Sequence, residues 1–330
     1  MSVPPEYSFV IPVRNERDTL EELYRRLVVV LDRLEGTAEV VLVDDGSTDG
    51  SFELMRSLHE QDERFKTIRL SRNFGHQIAL TAGLDYAAGR AVVMMDADLQ
   101  DPPEVALELA KRWREGYAVV YAVRTQRLGE TRTKLWTAKL FYRLIGRLTE
   151  VDMPRDAGDF RLVDRRVVDV MSSMREHNRY LRGMSAWVGF DQTGVTYVRD
   201  ERYAGSTKYS SRKMMRFALD GIVSFSTTPL RLTLNVGFVV SVLAFLVGAG
   251  AIVAKLAGVF TAPGWASIVV VLAFLGGVQL TVLGVIGEYV AQIHQEVKRR
   301  PLYLVRDVVG VEEPAAAPRV AERSQSGPRP

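Results

Sequence analysis

Short apolar runs alternate with amphipathic stretches through the first 125 residues. Tyr7 to Val13, Val40 to Val43, Phe65 to Leu70, Ala91 to Met95 and Ala118 to Val123 read as strands. Between the first two, Arg17 to Leu34 carries Leu20, Leu23, Leu27, Val30, Leu31 and Leu34 at helical spacing. This alternation predicts an α/β fold with a mostly parallel sheet covered by helices on both faces. Sheets of that type bind ligands at the carboxyl ends of their strands. The chain places polar clusters there: Arg14-Asn15-Glu16, Asp44-Asp45-Gly46-Ser47, Ser71-Arg72-Asn73-Phe74-Gly75 and Asp96-Ala97-Asp98. Any one of them suits an ordinary loop or helix cap. Together they read as a nucleotide-sized crevice.

The pattern changes toward the C-terminus. Leu232 to Ala254 and Ala266 to Gly287 contain no charged residue, and each exceeds the roughly 20 residues needed to cross a bilayer core. A buried helix pair in a soluble protein is the competing explanation. Arg212, Lys213, Arg216 and Arg231 precede the first run, and Lys298, Arg299 and Arg300 follow the second. The linker from Lys255 to Trp265 carries only Lys255. The excess of positive charge on the outer flanks predicts a hairpin with both ends cytoplasmic. From Arg199 to Arg231, basic residues interleave with Met214, Met215, Phe217, Leu219, Ile222, Val223 and Phe225, as in a helix lying on an anionic membrane surface. The predicted organisation is a cytosolic catalytic domain over 1–205, basic juxtamembrane helices over 206–231 and a transmembrane hairpin over 232–290 (spans at about 232–254 and 266–287). A cytosolic tail covers 291–330, disordered after about 312, where Pro, Ala and Ser leave little to bury.

Charge and composition remove several alternatives. Lys+Arg 43 against Asp+Glu 40 gives +3, too balanced to argue for nucleic acid. The chain has no Cys and only 4 His, which excludes disulfides and makes a zinc site improbable. Near the N-terminus Phe9-Val10-Ile11 is too short for a signal segment, and Pro12 follows it.

The candidate chemistry centres on Val92-Val93-Met94-Met95-Asp96-Ala97-Asp98-Leu99-Gln100-Asp101-Pro102-Pro103. Four apolar residues form a short strand, and the prolines stop it and can open a helix. Alternation at a strand tip would turn Asp96, Asp98 and Gln100 toward one volume. Two carboxylates that close repel unless a cation lies between them. Mg²⁺ or Mn²⁺ holding a pyrophosphate would supply one, although an acidic turn capping the next helix uses the same residues. Further on, Arg124, Arg127, Arg132, Lys134 and Lys139 precede or line a predicted helix over 131–147. Asp156-Ala157-Gly158-Asp159-Phe160-Arg161 makes a second acidic turn. Leu181 to Phe190 is apolar and punctuated by glycine, suited to the core or to sheltering a greasy substrate.

As an ordered set, Phe9-Val10-Ile11-Pro12-Val13-Arg14-Asn15-Glu16, Val43-Asp44-Asp45-Gly46-Ser47-Thr48-Asp49, Asn73-Phe74-Gly75-His76-Gln77 and the Asp96 to Pro103 run resemble glycosyltransferase family 2. Gly158-Asp159-Phe160-Arg161-Leu162, Arg202-Tyr203-Ala204-Gly205-Ser206-Thr207-Lys208-Tyr209 and the paired spans are similar to its polyprenyl-phosphate branch, which includes the bactoprenol glucosyltransferases and dolichol-phosphate mannose synthases. The resemblance covers about residues 6–300. It implies a GT-A type Rossmann-like sheet with a C-terminal two-helix transmembrane hairpin.

It also implies roles for individual residues. Pro12, Asn15, Glu16, Asp44 and Asp45 would line the nucleotide pocket. Asp96 would face the donor sugar or ribose, and Asp98 and Gln100 would bind Mg²⁺ or Mn²⁺. Arg124, Lys134, Arg202 and Lys208 would hold the acceptor phosphate. Relatives often carry Arg where Lys134 stands and Ser where Ala138 stands. Their Gly-Glu-Ser-Lys-Tyr run appears here as Gly205-Ser206-Thr207-Lys208-Tyr209. Asp159 would orient groups or serve as a base. The expected reaction is inverting transfer of one hexose from a nucleoside diphosphate sugar, UDP-glucose before GDP-mannose, to a polyprenyl phosphate. The enzyme would be a multi-pass protein of the inner (cytoplasmic) membrane, self-associating through glycine-bearing spans. The alternatives are a processive polysaccharide synthase, disfavoured by two spans and no Gln-x-x-Arg-Trp element, and a non-catalytic membrane-anchored sugar-nucleotide binder.

Overall fold

The strand β1 (Tyr7–Val13) is buried along its whole length, as its unbroken apolar run requires of a strand covered on both faces. It lies at the centre of the sheet, parallel to β2 (Ala38–Asp44) on one side and to β4 (Ala91–Met94) on the other. The computed structural model describes residues 4–124, 157–198, 228–257 and 264–311. Up to residue 124 the remaining elements are α1 (Arg17–Arg33), α2 (Ser51–Gln61), β3 (Phe65–Leu70), α3 (His76–Tyr86), α4 (Val105–Arg114) and β5 (Val119–Arg124). Then follow β6 (Ala157–Asp164), α5 (Arg165–Ser173), α6 (Leu181–Trp187), β7 (Gln192–Tyr197), α7 (Thr228–Leu256), α8 (Trp265–Val297) and β8 (Val305–Val309). The helix expected over 131–147, the basic helix around 209–225 and the tail beyond 312 lie outside the described residues.

The eight strands form one sheet in the order β7-β5-β6-β4-β1-β2-β3-β8. β6 runs antiparallel to β4 and β5, and β8 runs antiparallel to β3; the other pairings are parallel. Alternating residues of β1 divide the core. Tyr7, Phe9, Ile11 and Val13 join the stripe Leu20, Leu23, Leu27, Val30 and Leu31 of α1 and Leu109 of α4 in one cluster. Val10 faces the other way, under α3. That helix approaches so closely that a Cβ on Gly83 would lie 2.2 Å from Val10 Cγ1 and 3.1 Å from Val43 Cγ2. Gly83→Ala should therefore destabilise the domain by about 1–3 kcal/mol through overpacking, seen as a lowered melting midpoint of the detergent-solubilised protein.

β8 is an element the hydrophobic pattern did not predict. Leu304 O accepts from Ser71 N at 2.8 Å, and Thr67, Ile68, Arg69 and Leu70 pair with Val309, Val308, Asp307 and Val305. Just before it, Tyr303 is fully buried and donates from its hydroxyl to Asp85 Oδ2 at 2.8 Å. Arg175 Nη1 meets the same Asp85 oxygen at 2.7 Å.

The described residues divide into two compact units. One holds the sheet and includes residues 301–311; the other holds α7 and α8. Both helices are long and apolar enough to cross a membrane, with mean hydropathy of 2.0 over Thr233–Gly250 and 2.2 over Val270–Val297. Leu234, Phe238 and Phe245 are largely exposed along α7, as are Leu272, Phe274 and Leu280 along α8. Both helices outrun the apolar windows read from sequence. α8 continues past Gly287 through Glu288, Gln292 and Glu296 without a break.

Candidate active site

The crevice forms where β1, β2 and β4 end and β6 begins. Opposite directions of β4 and β6 create it. Met94 pairs with Arg161, so the chain two residues beyond Met94 and the chain two residues before Arg161 come level, which sets Asp96 beside Asp159. His76, the first residue of α3, joins them. Its Nε2 lies 3.4 Å from Asp96 Oδ1 and 3.4 Å from Asp159 Oδ2. On the far side of Asp159, Arg182 Nε donates to Oδ1 at 2.6 Å. Gln77 Nε2 donates to Oδ2 at 3.2 Å, while Gln77 Oε1 accepts from Leu181 N at 3.0 Å and ties α3 to α6. Beneath them, buried Arg161 donates to Gly158 O at 2.8 Å and to Ser185 Oγ, locking α6 onto β6.

This arrangement splits the two carboxylates electrostatically. Burial alone would raise Asp159, but His76 and Arg182 beside it hold its carboxyl far below the usual range. Burial pushes Asp96 up to about 6; the charge of His76 opposes this, and those of Asp159, Asp101 and Asp98 add to it. Burial pulls His76 down, yet Asp159 and Asp96 outweigh it and raise the imidazole above its ordinary value. The Asp96 side chain remains 32% exposed and that of His76 37%, against 12% for Asp159. The first two can meet a ligand, whereas Asp159 stands behind them.

An acid whose folded pKa is raised loses stability as pH climbs from its unfolded value, near about 3.9, toward its folded one. At neutral pH the ionised Asp96 is thus a burden on the fold. Asp96→Asn should raise the melting temperature at pH 7 by about 2–5 °C while lowering activity, and the gain should vanish near pH 4.

The expected alternation at the tip of β4 does not extend to Asp98. The strand ends at Met94, and the chain then turns, with Leu99 at φ 58. Asp98 Oδ1 accepts from Gln100 N at 3.1 Å, so one turn holds both side chains. Among the described residues no three His, Asp or Glu side chains converge as a ready-made metal site. The oxygen donors of Asp98 and Gln100 are of the kind that a hard divalent cation takes. Pro102 O and Pro103 O accept from Val105 N and Ala106 N and open α4.

Around β1 and β2 the polar clusters knit to one another. Asn15, at φ 53, donates from its N–H to Ser47 Oγ at 3.0 Å and accepts from Thr48 N at 2.9 Å. Glu16 N donates to Ser51 Oγ at 3.2 Å, and Pro12 is buried beside it in β1. Asp44 is fully buried; Oδ1 accepts from Ser47 N at 2.8 Å, and Oδ2 lies 3.4 Å from Arg69 Nε. Asp45 accepts from Phe74 N at 2.7 Å and Gly75 N at 3.0 Å, fixing the loop that leads into His76. Gly46 is required there: at φ +72, its Cβ would lie 2.8 Å from the backbone of Arg72 and Asn73.

Arg124 closes the β5 side. Its Nη2 lies 3.6 Å from the buried Asp101 Oδ2, and its Nε donates at 3.1 Å to the hydroxyl oxygen (Oη) of Tyr197, which in turn donates to Asp101 Oδ1. Burial opposes the charge on Arg124, but Asp101 raises its pKa. Lys134, Arg202 and Lys208 lie outside the described residues.

His76, Gln77 and Arg182 were not among the site residues expected from sequence. A lone Arg in the apolar run from Leu181 to Phe190 was the available signal. α6 buries Leu181, Gly183, Met184 and Ser185 while turning Arg182 to the crevice and leaving Trp187 63% exposed.

With this geometry in place, comparison with known proteins gives a consistent result. The model of the family described as "Glycosyl transferase family 2" matches residues 8–171. The chain is 50% identical to the uncharacterized glycosyltransferase YkcC of Bacillus subtilis (strain 168), over 94% of this chain and 97% of that protein. It is 40% identical to the SfII prophage-derived bactoprenol glucosyl transferase of Shigella flexneri, over 91% of this chain and 97% of the relative. Among solved structures, mannosyl-3-phosphoglycerate synthase from Rubrobacter xylanophilus aligns at a TM-score of 0.47 and 18% identity, over 66% of this chain and 72% of that one.

Proposed function

The chain belongs to glycosyl transferase family 2 and its sheet is of the GT-A type, and from that premise we propose that it transfers one hexose from a nucleoside diphosphate sugar to a polyprenyl phosphate. UDP-glucose is the favoured donor and GDP-mannose the next. One observation carries the reading. Asp96, just past the end of β4, and Asp159, in β6, meet at His76 in a chain that matches, over 91% of its length, a protein named for glucosyl transfer to bactoprenol.

Pro12, Asn15, Glu16, Asp44 and Asp45 build the nucleotide side of the crevice, the two aspartates by holding its loops in place. Asp96 faces the donor sugar. Asp98 and Gln100 hold Mg²⁺ or Mn²⁺, which when bound supplies Lewis-acid stabilisation of the departing diphosphate. Arg124, together with Lys134, Arg202 and Lys208, receives the acceptor phosphate. A phosphate monoester has its second pKa near about 6 and is already anionic at neutral pH. It needs aiming more than deprotonation. Asp159, held ionised by His76 and Arg182, is a poor proton acceptor and suits an orienting role. In-line attack from the opposite face of the sugar inverts the anomeric centre.

The apolar helices give the reaction its location. A polyprenyl chain leaves a bilayer only at great cost, so a transferase anchored by α7 and α8 meets it in the plane of the membrane. With the basic flanks inside, the catalytic unit lies on the cytoplasmic face of the inner membrane. The helix surfaces at Gly248, Gly250, Gly276, Gly277 and Gly284, which have no other described atom within 4 Å of a built Cβ, suit self-association of the spans.

The test is to supply purified protein in detergent with undecaprenyl phosphate and, separately, UDP-glucose, GDP-mannose, UDP-galactose and UDP-N-acetylglucosamine, following lipid-linked sugar by mass with and without EDTA. A lipid-linked hexose that disappears with EDTA supports the reading. Nucleotide release without a lipid product overturns the acceptor assignment.

A further inference from the structure

We propose that His76 is a positioning residue for sugar transfer, one that joins Asp96 on the β4 side and Asp159 on the β6 side into a single unit. The proposal rests on the transferase reading above and adds to it a residue that the sequence motif quoted but left without a role.

The geometry is specific. Asp96 and Asp159 come from strands that run in opposite directions and share no turn, so the β4–β6 pairing alone leaves their side chains free to rotate apart. Two carboxylates this close repel. His76 Nε2, 3.4 Å from an oxygen of each, faces both across the seam. Asp159 cannot swing to meet it differently, because Arg182 and Gln77 already fix both of its oxygens. Asp96 has no such support: among the described residues its Oδ1 is buried without a hydrogen-bond partner, and the imidazole is the cationic group that faces it, at 3.4 Å. The chain Arg182–Asp159–His76–Asp96 is therefore anchored at one end and open at the other, where Asp96 meets the donor.

The groups facing His76 are Asp96 and Asp159, with Arg182 behind the latter. Burial and Arg182 work against a proton on the ring, while the two carboxylates favour it and prevail. The backbone contributes as well. Gly75, at φ 101, carries the chain into α3, and its N–H is held by Asp45. His76 thus leaves a fixed point rather than a mobile loop. In this arrangement the imidazole sets the direction of Asp96.

The experiment has two arms. In the first, donor kinetics are measured for His76→Asn, Asp159→Asn and the double variant. The expected result is a fall in kcat of about 10–100-fold for His76→Asn, from misplacement of a group beside the reacting centre, with donor KM within about 3-fold of the parent. The double variant should lose far less than the product of the single losses. His76→Gln, whose longer side chain carries its amide N–H groups about as far as the ring Nε2 that faces both carboxylates, should recover part of kcat. A His76→Asn enzyme within about 3-fold of the parent in kcat, or losses that multiply independently, would overturn the proposal.

The second arm needs no turnover. With ¹³C-labelled histidine in the full chain in detergent, the ring signal of His76 should shift in both Asp96→Asn and Asp159→Asn, with those of His59, His177 and His294 unchanged. A His76 signal indifferent to both substitutions would sink the bridge. If the parent protein transfers no sugar from any donor, the functional reading fails, and the resonance arm still decides whether His76 joins the two carboxylates.

Discussion

Asp98→Ala should abolish lipid-linked product while leaving the protein in the membrane fraction. Asp98 sits on the turn after β4 with its Oδ1 on Gln100 N, while its neighbours Asp96 and Asp101 face His76 and the Arg124–Tyr197 pair. A cation held by Asp98 as proposed would contribute several kcal/mol of electrostatic stabilisation to the charge left on the diphosphate. At 1.36 kcal/mol per decade, its loss corresponds to a fall in kcat of roughly 10³-fold. The structural price is small: Asp98 is only partly buried, and the helix that follows starts from Pro102 O and Pro103 O without its help. The expected pattern is an unchanged melting midpoint, unchanged membrane partition and no product. Residual transfer above about one part in ten would mean that the cation, if used, is held elsewhere.

The second large effect is expected at Asp159, and there fold and activity should fall together. Its carboxylate is the only described acid that meets Arg182, His76 and Gln77 at once. Removing one partner from a buried ion pair costs about 3–5 kcal/mol. Because 36% of the Arg182 side chain still meets solvent, water screens part of that loss, and about 2–3 kcal/mol is expected for Asp159→Asn.

The pH dependence of that loss has a definite sign. The folded pKa of Asp159 lies below its unfolded value. The stability it contributes is complete above the unfolded pKa of about 3.9 and is lost as pH falls through the folded value. The melting difference between parent and Asp159→Asn should be full at pH 7 and shrink below about pH 4. A difference that stays constant down to pH 3 would show that the ionised carboxylate is not what stabilises the parent. The kcat of the variant should drop by about 10²-fold, since Arg182 and His76 both lose their common anchor.

The parts legible in the sequence are those where burial is complete. Strands β1, β2 and β4 have fully buried apolar runs, so they were unambiguous, and the stripe on α1 matches the buried apolar residues of the helix, with partly buried Leu34 just past its end; buried Thr19 lies outside the stripe. The polar clusters at strand ends were legible because the sheet type dictates where ligands bind. β6 was read as an acidic turn and not as a strand, since Arg161 interrupts Phe160-Leu162-Val163 and an arginine at the centre of a sheet is intelligible only once Ser185 and Gly158 are seen to receive it. β8 was missed because Val305-Arg306-Asp307-Val308-Val309 is a half-exposed edge, whose strand character comes from distant β3. The coupling of Asp96 to Asp159 was illegible for a related reason: it depends on the antiparallel register of β4 and β6, which no local pattern encodes.

The position of β8 has a consequence for biosynthesis. It is the last described strand in the chain, yet it covers the edge of β3, whose residues are made before either apolar helix. While the ribosome works through to Val305, a wait of roughly 10–50 s at ordinary synthesis rates, the nascent domain carries an unpaired strand edge. Lys66 and Arg69 on that edge are charged, the kind of residue that discourages pairing with a foreign strand. Completion of the sheet must follow synthesis of both helices, and so, with the hairpin seated in the bilayer as proposed, a transferase released before its anchor is made would lack its outer strand. The fold thereby makes maturation of the catalytic unit depend on the chain having first passed through its membrane segment.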